Sequence, residues 1–207
     1  MESTMSSHSR APLTPRRANG RQRVAELLQA AASVIQERGF EAATMAEIAA
    51  KADAKIGSLY RFFPNKEAVA DALMQNYSEL LEAEYQGVIA QAAAMSVDEL
   101  ADALMDLLVR TYSHAQAVIA LLDSRTDWTD IRLRFREQAV EGVLAALQMN
   151  APHLGEAEGR DIATVVLNNM KTIVAVTFGN APTTRNAPDE LKLMNRLYLN
   201  NRLRQDG

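Results

Sequence analysis

The 207 residues predict an all-α fold in two parts, a small N-terminal three-helix unit of helix-turn-helix type and a larger C-terminal helical body. Three observations carry that prediction. Apolar residues recur at three- and four-residue spacing along most of the chain, and no convincing strand alternation interrupts them. Ala, Leu, Met, Glu, Arg and Gln, the strong helix formers, are plentiful, with 48% apolar residues and only 5% aromatic. Ser/Thr-x-x-Glu signatures, which satisfy the orphan amides of a helix start, stand directly before two of the periodic segments.

Residues 1–18 are rich in Ser, Pro and Arg and lack periodicity, so they read as a disordered basic arm. A first helix runs from about Asn19 to Arg38 on Val24, Leu27, Leu28, Ala31 and Ile35. Gly39 stands at its left-handed end, with Phe40 as the returning apolar contact. Thr44-Met45-Ala46-Glu47 is a capping box that opens a short helix with Met45, Ile48 and Ala49 inward. Ala52-Asp53-Ala54 forms a turn. A second short helix, Lys55 to Phe62, turns Leu59 and Phe63 to the core, and Pro64 ends it. Asn65 caps a long helix from Lys66 to about Ala92. The helix-turn-helix domain thus covers 19–66, and the helical body 67–207.

In that body Ser96-Val97-Asp98-Glu99 is a second capping box, opening a helix through Leu108. A separate short helix spans Ala115 to Leu122. Asp123 to Asp130 is a polar connector with the only tryptophan, Trp128. Helices over Ile131–Met149, Ala157–Phe178 and Pro188–Arg204 complete the chain.

Composition excludes several classes. Without cysteine there are no disulfides, thiolate metal sites or Cys nucleophile. That composition fits a reducing compartment, and a cytoplasmic location is expected. The basic N-terminus has no apolar run behind it and is no secretory signal. The stretch from Ile162 to Phe178 is broken by Asn168, Asn169 and Lys171 and is too short and polar to cross a membrane. The three histidines, at 8, 114 and 153, are scattered, and no phosphate loop, metal-ligand pair or nucleophile elbow appears. Asp123, Asp127 and Asp130 lack the spacing of a calcium loop, and Arg132 and Arg136 read as a solvated helix face. No enzyme, cofactor or metal is expected.

Charge is uneven. Residues 1–66 hold 10 Lys/Arg against 6 Asp/Glu, and residues 67–207 hold 12 against 20. A basic end on an acidic body suits an anionic partner at that end or a solvated tail, and charge alone does not choose. Two short helices braced by longer ones add the missing specificity, because the second is narrow enough for the major groove.

The run Thr44-Met45-Ala46-Glu47-Ile48-Ala49, then Gly57-Ser58-Leu59-Tyr60-Arg61-Phe62-Phe63-Pro64-Asn65-Lys66-Glu67, resembles the N-terminal domain of the tetracycline-repressor (TetR) family over roughly residues 20–70. The resemblance implies a transcriptional regulator that binds double-stranded DNA. Thr44 would offer its hydroxyl and nearby amides to a phosphate, Gly57 would allow close approach, and Ser58 and Arg61 would reach base edges. Ile56 would meet a thymine methyl, Tyr60 the DNA backbone and Lys66 a phosphate. The chain departs from the family pattern at Asp53, where Gly is usual, at Ala54, where a larger aliphatic is usual, and at Lys55, where Ser or Thr is usual. Lys55 cannot cap by accepting an amide proton, and its ammonium is free for a phosphate or guanine. Phe62 has no assigned role. Arg10, Arg16, Arg17, Arg21 and Arg23 are expected to lend the arm weak, non-specific affinity.

The segment Asp161–Phe178 is apolar on too much of its circumference for one core, which argues for a homodimer through the last two helices. The resemblance further implies a small-molecule effector whose binding releases a palindromic operator. Met105, Tyr112, Trp128, Phe135, Asn168 and Asn169 are the candidate effector contacts. The competing expectation is a helical protein-interaction module without DNA binding.

Overall fold

The computed structural model describes residues 18–124, 129–179 and 186–204. Among these, eight helices occur and no strand: α1 Ala18–Arg38, α2 Met45–Lys51, α3 Ile56–Phe62, α4 Lys66–Ala92, α5 Val97–Ser124, α6 Thr129–Asn150, α7 Glu156–Phe178 and α8 Ala187–Arg202. They fall into two compact units. One runs to Asn76 and includes the segment that starts at Gln116. The other comprises Tyr77–Ala115 and the chain from Asp127 onward, so α4 and α5 each contribute to both.

The first unit follows its local signals. Leu27, Ala31 and Ile35 of α1 are fully buried, as their spacing on one helical stripe requires. Gly39 ends α1 at φ 77, its amide bonded to the Ile35 carbonyl at 2.8 Å, and Phe40 is buried beside it. α1 packs on α2 and α2 on α3. Ala117, Val118 and Leu121 of α5 are buried, and the amide side chains of Gln36 and Gln116 are hydrogen-bonded.

The second unit has a continuous core drawn from α4 to α8, in which Tyr85, Leu100, Leu104, Met105, Val143, Leu147, Ile162, Val166, Met170 and Leu199 are buried. One expectation fails here. The break foreseen between Leu108 and Ala115 is absent, and α5 is a single helix of 28 residues. Within that span the Thr111 hydroxyl donates to the Leu107 and Leu108 carbonyls at 3.1 and 3.3 Å and so is satisfied by the helix itself. The polar connector also shrinks, because Asp123 belongs to α5 and Asp130 to the first turn of α6.

α7 packs on both α6 and α8. Its Ile162, Ala163, Val166, Leu167, Met170 and Ile173 are buried. Val165 of α7 and Leu193, Met194 and Leu197 of α8 stay exposed, with Leu197 64% exposed. Arg196 makes a two-armed pair with Asp102 at 2.8 and 2.6 Å, and Lys192 pairs with Asp106 at 2.6 Å, which registers α8 against α5.

Candidate nucleic-acid interface

Each edge of the interface is built by a helix end. At the start of α2 the Thr44 hydroxyl accepts from the Glu47 amide at 3.2 Å, and the Glu47 carboxylate accepts from the Thr44 amide and hydroxyl at 3.0 and 2.8 Å. These bonds from Thr44, with the charge of Arg38, hold the Glu47 carboxyl below its ordinary value. Thr44 is exposed, but its hydroxyl is already committed to the capping box.

The α2–α3 turn depends on Asp53, the one described non-glycine residue at positive φ, at 45°. Asp tolerates this left-handed conformation better than most residues, because a short polar side chain can bond locally there. Lys55 occupies the N-cap position of α3 in extended conformation and makes no side-chain cap. The turn is instead gripped from α1. Arg23 donates through Nη1 to the Ala52 carbonyl at 3.4 Å and through Nη2 to the Asp53 carbonyl at 3.1 Å, while Nη1 also pairs with Glu26 at 2.8 Å. The hydrogen bond from Arg23 is the main reason the Glu26 carboxyl lies below its ordinary value. Arg23 was expected in the arm. Nothing in its local sequence signals partners 29 and 30 residues away.

α3 has two faces. Leu59 and Phe62, three residues apart, are buried, and Phe63 is buried just beyond the helix. Phe62 is therefore core, a role that the spacing from Leu59 already contained. The Arg61 guanidinium lies 5.1 Å over its ring. The opposite face carries Ile56 at 47% and Tyr60 at 49% exposure, with Lys55, Gly57 and Arg61 also exposed and Ser58 half-buried. A Cβ added at Gly57 would meet nothing within 4 Å.

Asn65 caps α4, its Oδ1 accepting from the Ala68 amide at 2.8 Å. Beside it, the Lys66 ammonium donates to the Phe40 and Glu41 carbonyls at 2.7 and 3.0 Å and stands 4.5 Å over the Phe40 ring. Two of its three protons thus hold the loop after α1. Of the other basic residues, Arg38 and Lys51 pair with Glu47 and Glu37 at 3.0 and 2.7 Å. The exposed cations of the α3 face are Lys55 and Arg61. Arg10, Arg16 and Arg17 lie outside the described residues.

The described members of the expected effector set have different partners. Met105 is fully buried, Phe135 is tilted against Tyr77 at a centroid distance of 5.9 Å, and Tyr112 stacks on Phe178 at 4.3 Å. Asn169 donates to Asn195 at 3.3 Å, Asn168 is exposed on α7, and Trp128 lies outside the described residues. A cleft of about 330 Å³ beside Glu84, Gly87, Val88, Met95 and Arg110 includes none of the six. Among the described residues, two buried groups that sequence reasoning missed lack partners, the Tyr85 hydroxyl and Asn195 Nδ2. The Tyr85 ring lies so close to α6 that a Cβ at Gly142 would come 2.5 Å from its Cγ. Burial raises the Tyr85 hydroxyl above its ordinary range, with Tyr77 adding to the effect.

A capped short helix, a tight turn and a second short helix with one buried and one solvent-facing side define a helix-turn-helix protein. More narrowly, residues 27–73 match the family model of bacterial regulatory proteins, tetR family, so this segment of the chain is similar to that family. It is 35% identical over 95 residues to the HTH-type transcriptional repressor KstR2 of Mycobacterium tuberculosis (strain ATCC 25618 / H37Rv), a match covering 45% of this chain and 47% of that protein. It is 36% identical over 78 residues to the A-factor receptor protein of Streptomyces griseus, covering 38% of this chain and 28% of the relative. The chain thus spans about half the length or less of these curated relatives. The fold extends further. A putative transcriptional regulator from Pseudomonas aeruginosa PAO1 superimposes with a TM-score of 0.69 at 15% identity over 90% of this chain and 92% of that one. A TerR/AcrR-family regulator from Aquifex aeolicus VF5 gives 0.66 at 15% identity over 86% and 98%.

Proposed function

We propose that this chain is a DNA-binding transcriptional repressor, working as a homodimer on a palindromic operator and released by a small-molecule effector. The observation that carries the reading is the two-sided α3, with Leu59 and Phe62 buried and Ile56, Gly57, Tyr60 and Arg61 facing out. Arg61 and Ser58 are the base-reading side chains, Ile56 the apolar contact, and Gly57 the point of closest approach. Lys55, Tyr60 and the remaining proton of Lys66 serve the phosphates, and Thr44 joins them when its hydroxyl and amide exchange the Glu47 carboxylate for a phosphate. An interaction module without DNA binding is not favoured, because a relative 35% identical over 95 residues is an HTH-type transcriptional repressor.

The uncovered apolar residues of α7 and α8, Val165, Leu193, Met194 and Leu197, support dimerisation through the last two helices. Two copies would present two reading helices to the half-sites of a palindrome. Asn168, exposed on α7, belongs with that surface in this reading. Among the described residues no helix is long and apolar enough to cross a membrane. A cytoplasmic, non-enzymatic protein fits the role.

For the effector, the reading retains Met105 and Phe135, which join the core that contains Tyr85, and adds the Tyr85 hydroxyl as its polar anchor. Thr111 and Asn195 are the only polar side chains among the fully buried residues described, apart from that phenol, and no charged one is buried. An uncharged, mainly apolar effector with one hydrogen-bonding oxygen suits such an interior, since a buried charge without a partner is costly. Tyr112 and Asn169 remain contacts in this proposal, and Trp128 is carried over from the sequence.

Selection of duplexes from a random pool by the purified protein tests the proposal. Enrichment of one palindrome is the expected result, and Tyr60→Ala with Arg61→Ala should abolish its binding while helical circular dichroism is retained. No enrichment, or retained binding by the double variant, counts against it.

A further inference from the structure

We infer that Arg23 is a positioning residue for DNA reading: it locks the α2–α3 turn from α1 and so sets the pose of α3 without touching DNA. The inference rests on the DNA-binding reading above. The turn lacks two usual local restraints. Its left-handed position is held by Asp53 at φ 45 rather than by glycine, and α3 starts at Lys55 without a side-chain cap. The half-buried Ala54 adds little packing.

The guanidinium of Arg23 supplies what is missing. Its two terminal nitrogens reach the successive carbonyls of Ala52 and Asp53, the end of α2 and the left-handed residue itself. Glu26 neutralises the same group at 2.8 Å and holds it in place. A guanidinium spreads its donors over two terminal nitrogens and so serves both carbonyls and the Glu26 carboxylate at once, whereas a lysine here would have to bring one shorter-reaching nitrogen to all three. With three acceptors engaged and only 31% of its side chain exposed, Arg23 is committed to the protein.

This role separates charge from shape. If Arg23 were a phosphate contact of the basic arm, Arg23→Lys would bind nearly as well as wild type, and Arg23→Ala would lower the slope of log affinity against log salt by about one. If Arg23 is the clasp, Arg23→Lys loses roughly tenfold in affinity for the duplex selected by the wild type, as expected for about 1.4 kcal/mol of lost charge-assisted bonding. The salt slope of both variants then stays that of wild type. Arg23→Lys with Asp53→Gly recovers most of the affinity, because glycine holds the left-handed conformation without help. The double variant also keeps the test open should the single one fail to fold.

Hydrogen exchange gives a readout that needs no DNA. The Asp53, Ala54 and Ser58 amides bond to Ala50, Ala49 and Lys55 carbonyls at 3.1, 2.9 and 2.8 Å. In Arg23→Lys these three are expected to exchange faster while the Leu27 and Ile35 amides of α1 stay protected. Unaltered exchange, wild-type affinity in Arg23→Lys, or a reduced salt slope overturns the inference. A wild-type protein that selects no duplex overturns the DNA-binding reading and the reading role of Arg23 with it, while exchange still reports separately on the clasp.

Discussion

The Lys66 ammonium at the head of α4 donates to the carbonyl of Phe40 at 2.7 Å and stands 4.5 Å over that residue's ring. The lysine that sequence reasoning assigned to a phosphate thus also ties the loop after α1 to the start of α4. Removing it takes one donor from the Phe40 and Glu41 carbonyls and the ammonium from above the Phe40 ring. Lys66→Met should therefore destabilise the protein by about 1–3 kcal/mol in urea unfolding. Unchanged stability would mean that the contact contributes nothing in solution.

Gly57 offers a clean separation of stability from binding. A Cβ there meets open space, and the residue lies within α3, where glycine is the poorer helix former. Gly57→Ala should raise stability by about 0.5–1 kcal/mol. The same methyl group faces the proposed groove and should weaken operator binding. Thermal unfolding and a binding titration on one sample measure both, and tighter binding by the alanine variant would remove Gly57 from the interface.

Leu197 is 64% exposed on α8, beside the exposed Leu193 and Met194. Leu197→Glu should leave the protomer folded, since the side chain is not part of its core, and should shift sedimentation from dimer to monomer. Loss of palindrome binding should follow. A glutamate variant that sediments like wild type would exclude this face as the interface.

Tyr85 and Gly142 form a packing pair of opposite sign. The phenol is buried without a hydrogen-bond partner, so Tyr85→Phe should stabilise the effector-free protein by about 1 kcal/mol. Gly142→Ala drives a methyl group to 2.5 Å from the Tyr85 Cγ and should cost about 1–3 kcal/mol. Denaturation midpoints check both. A neutral or destabilising Tyr85→Phe would show that the hydroxyl finds a partner in solution.

Acid should weaken the fold through its caps. Glu26, Glu37, Glu47 and Glu99 have carboxyls held below the ordinary value of 4.5, chiefly by hydrogen bonds from Arg23, Lys51, Thr44 and the Ser96 amide respectively. A carboxyl with a lowered folded pKa contributes stability that is fully present above its unfolded value and lost as pH falls through the folded one. Melting temperature should accordingly hold at neutral pH and drop once the pH falls below about 4.5. Glu47→Gln, which cannot titrate, should show a shallower drop, and a drop as steep as that of wild type would discount the capping box.

The sequence by itself determined the helices and their ends. The boxes at Thr44–Glu47 and Ser96–Glu99, the cap at Asn65, the left-handed Gly39 and Asp53, and the uncapped Lys55 all form as read. Each is a transaction between residues within about four positions, so periodicity and residue chemistry suffice to see it. The inward turn of Phe62 was equally legible, three residues from Leu59 on the same face of α3. Only the tertiary structure decided which cations are free. Arg23 and Lys66 look like solvent-facing charges in sequence and become clasps because carbonyls 30 and 26 residues away come within hydrogen-bonding distance. It also joined the two halves of α5, where Thr111 satisfies itself on the helix backbone, and left Asn168 outside while burying Asn195. Helix ends are written locally, whereas the partners of a long side chain depend on which distant backbone the fold brings beside it.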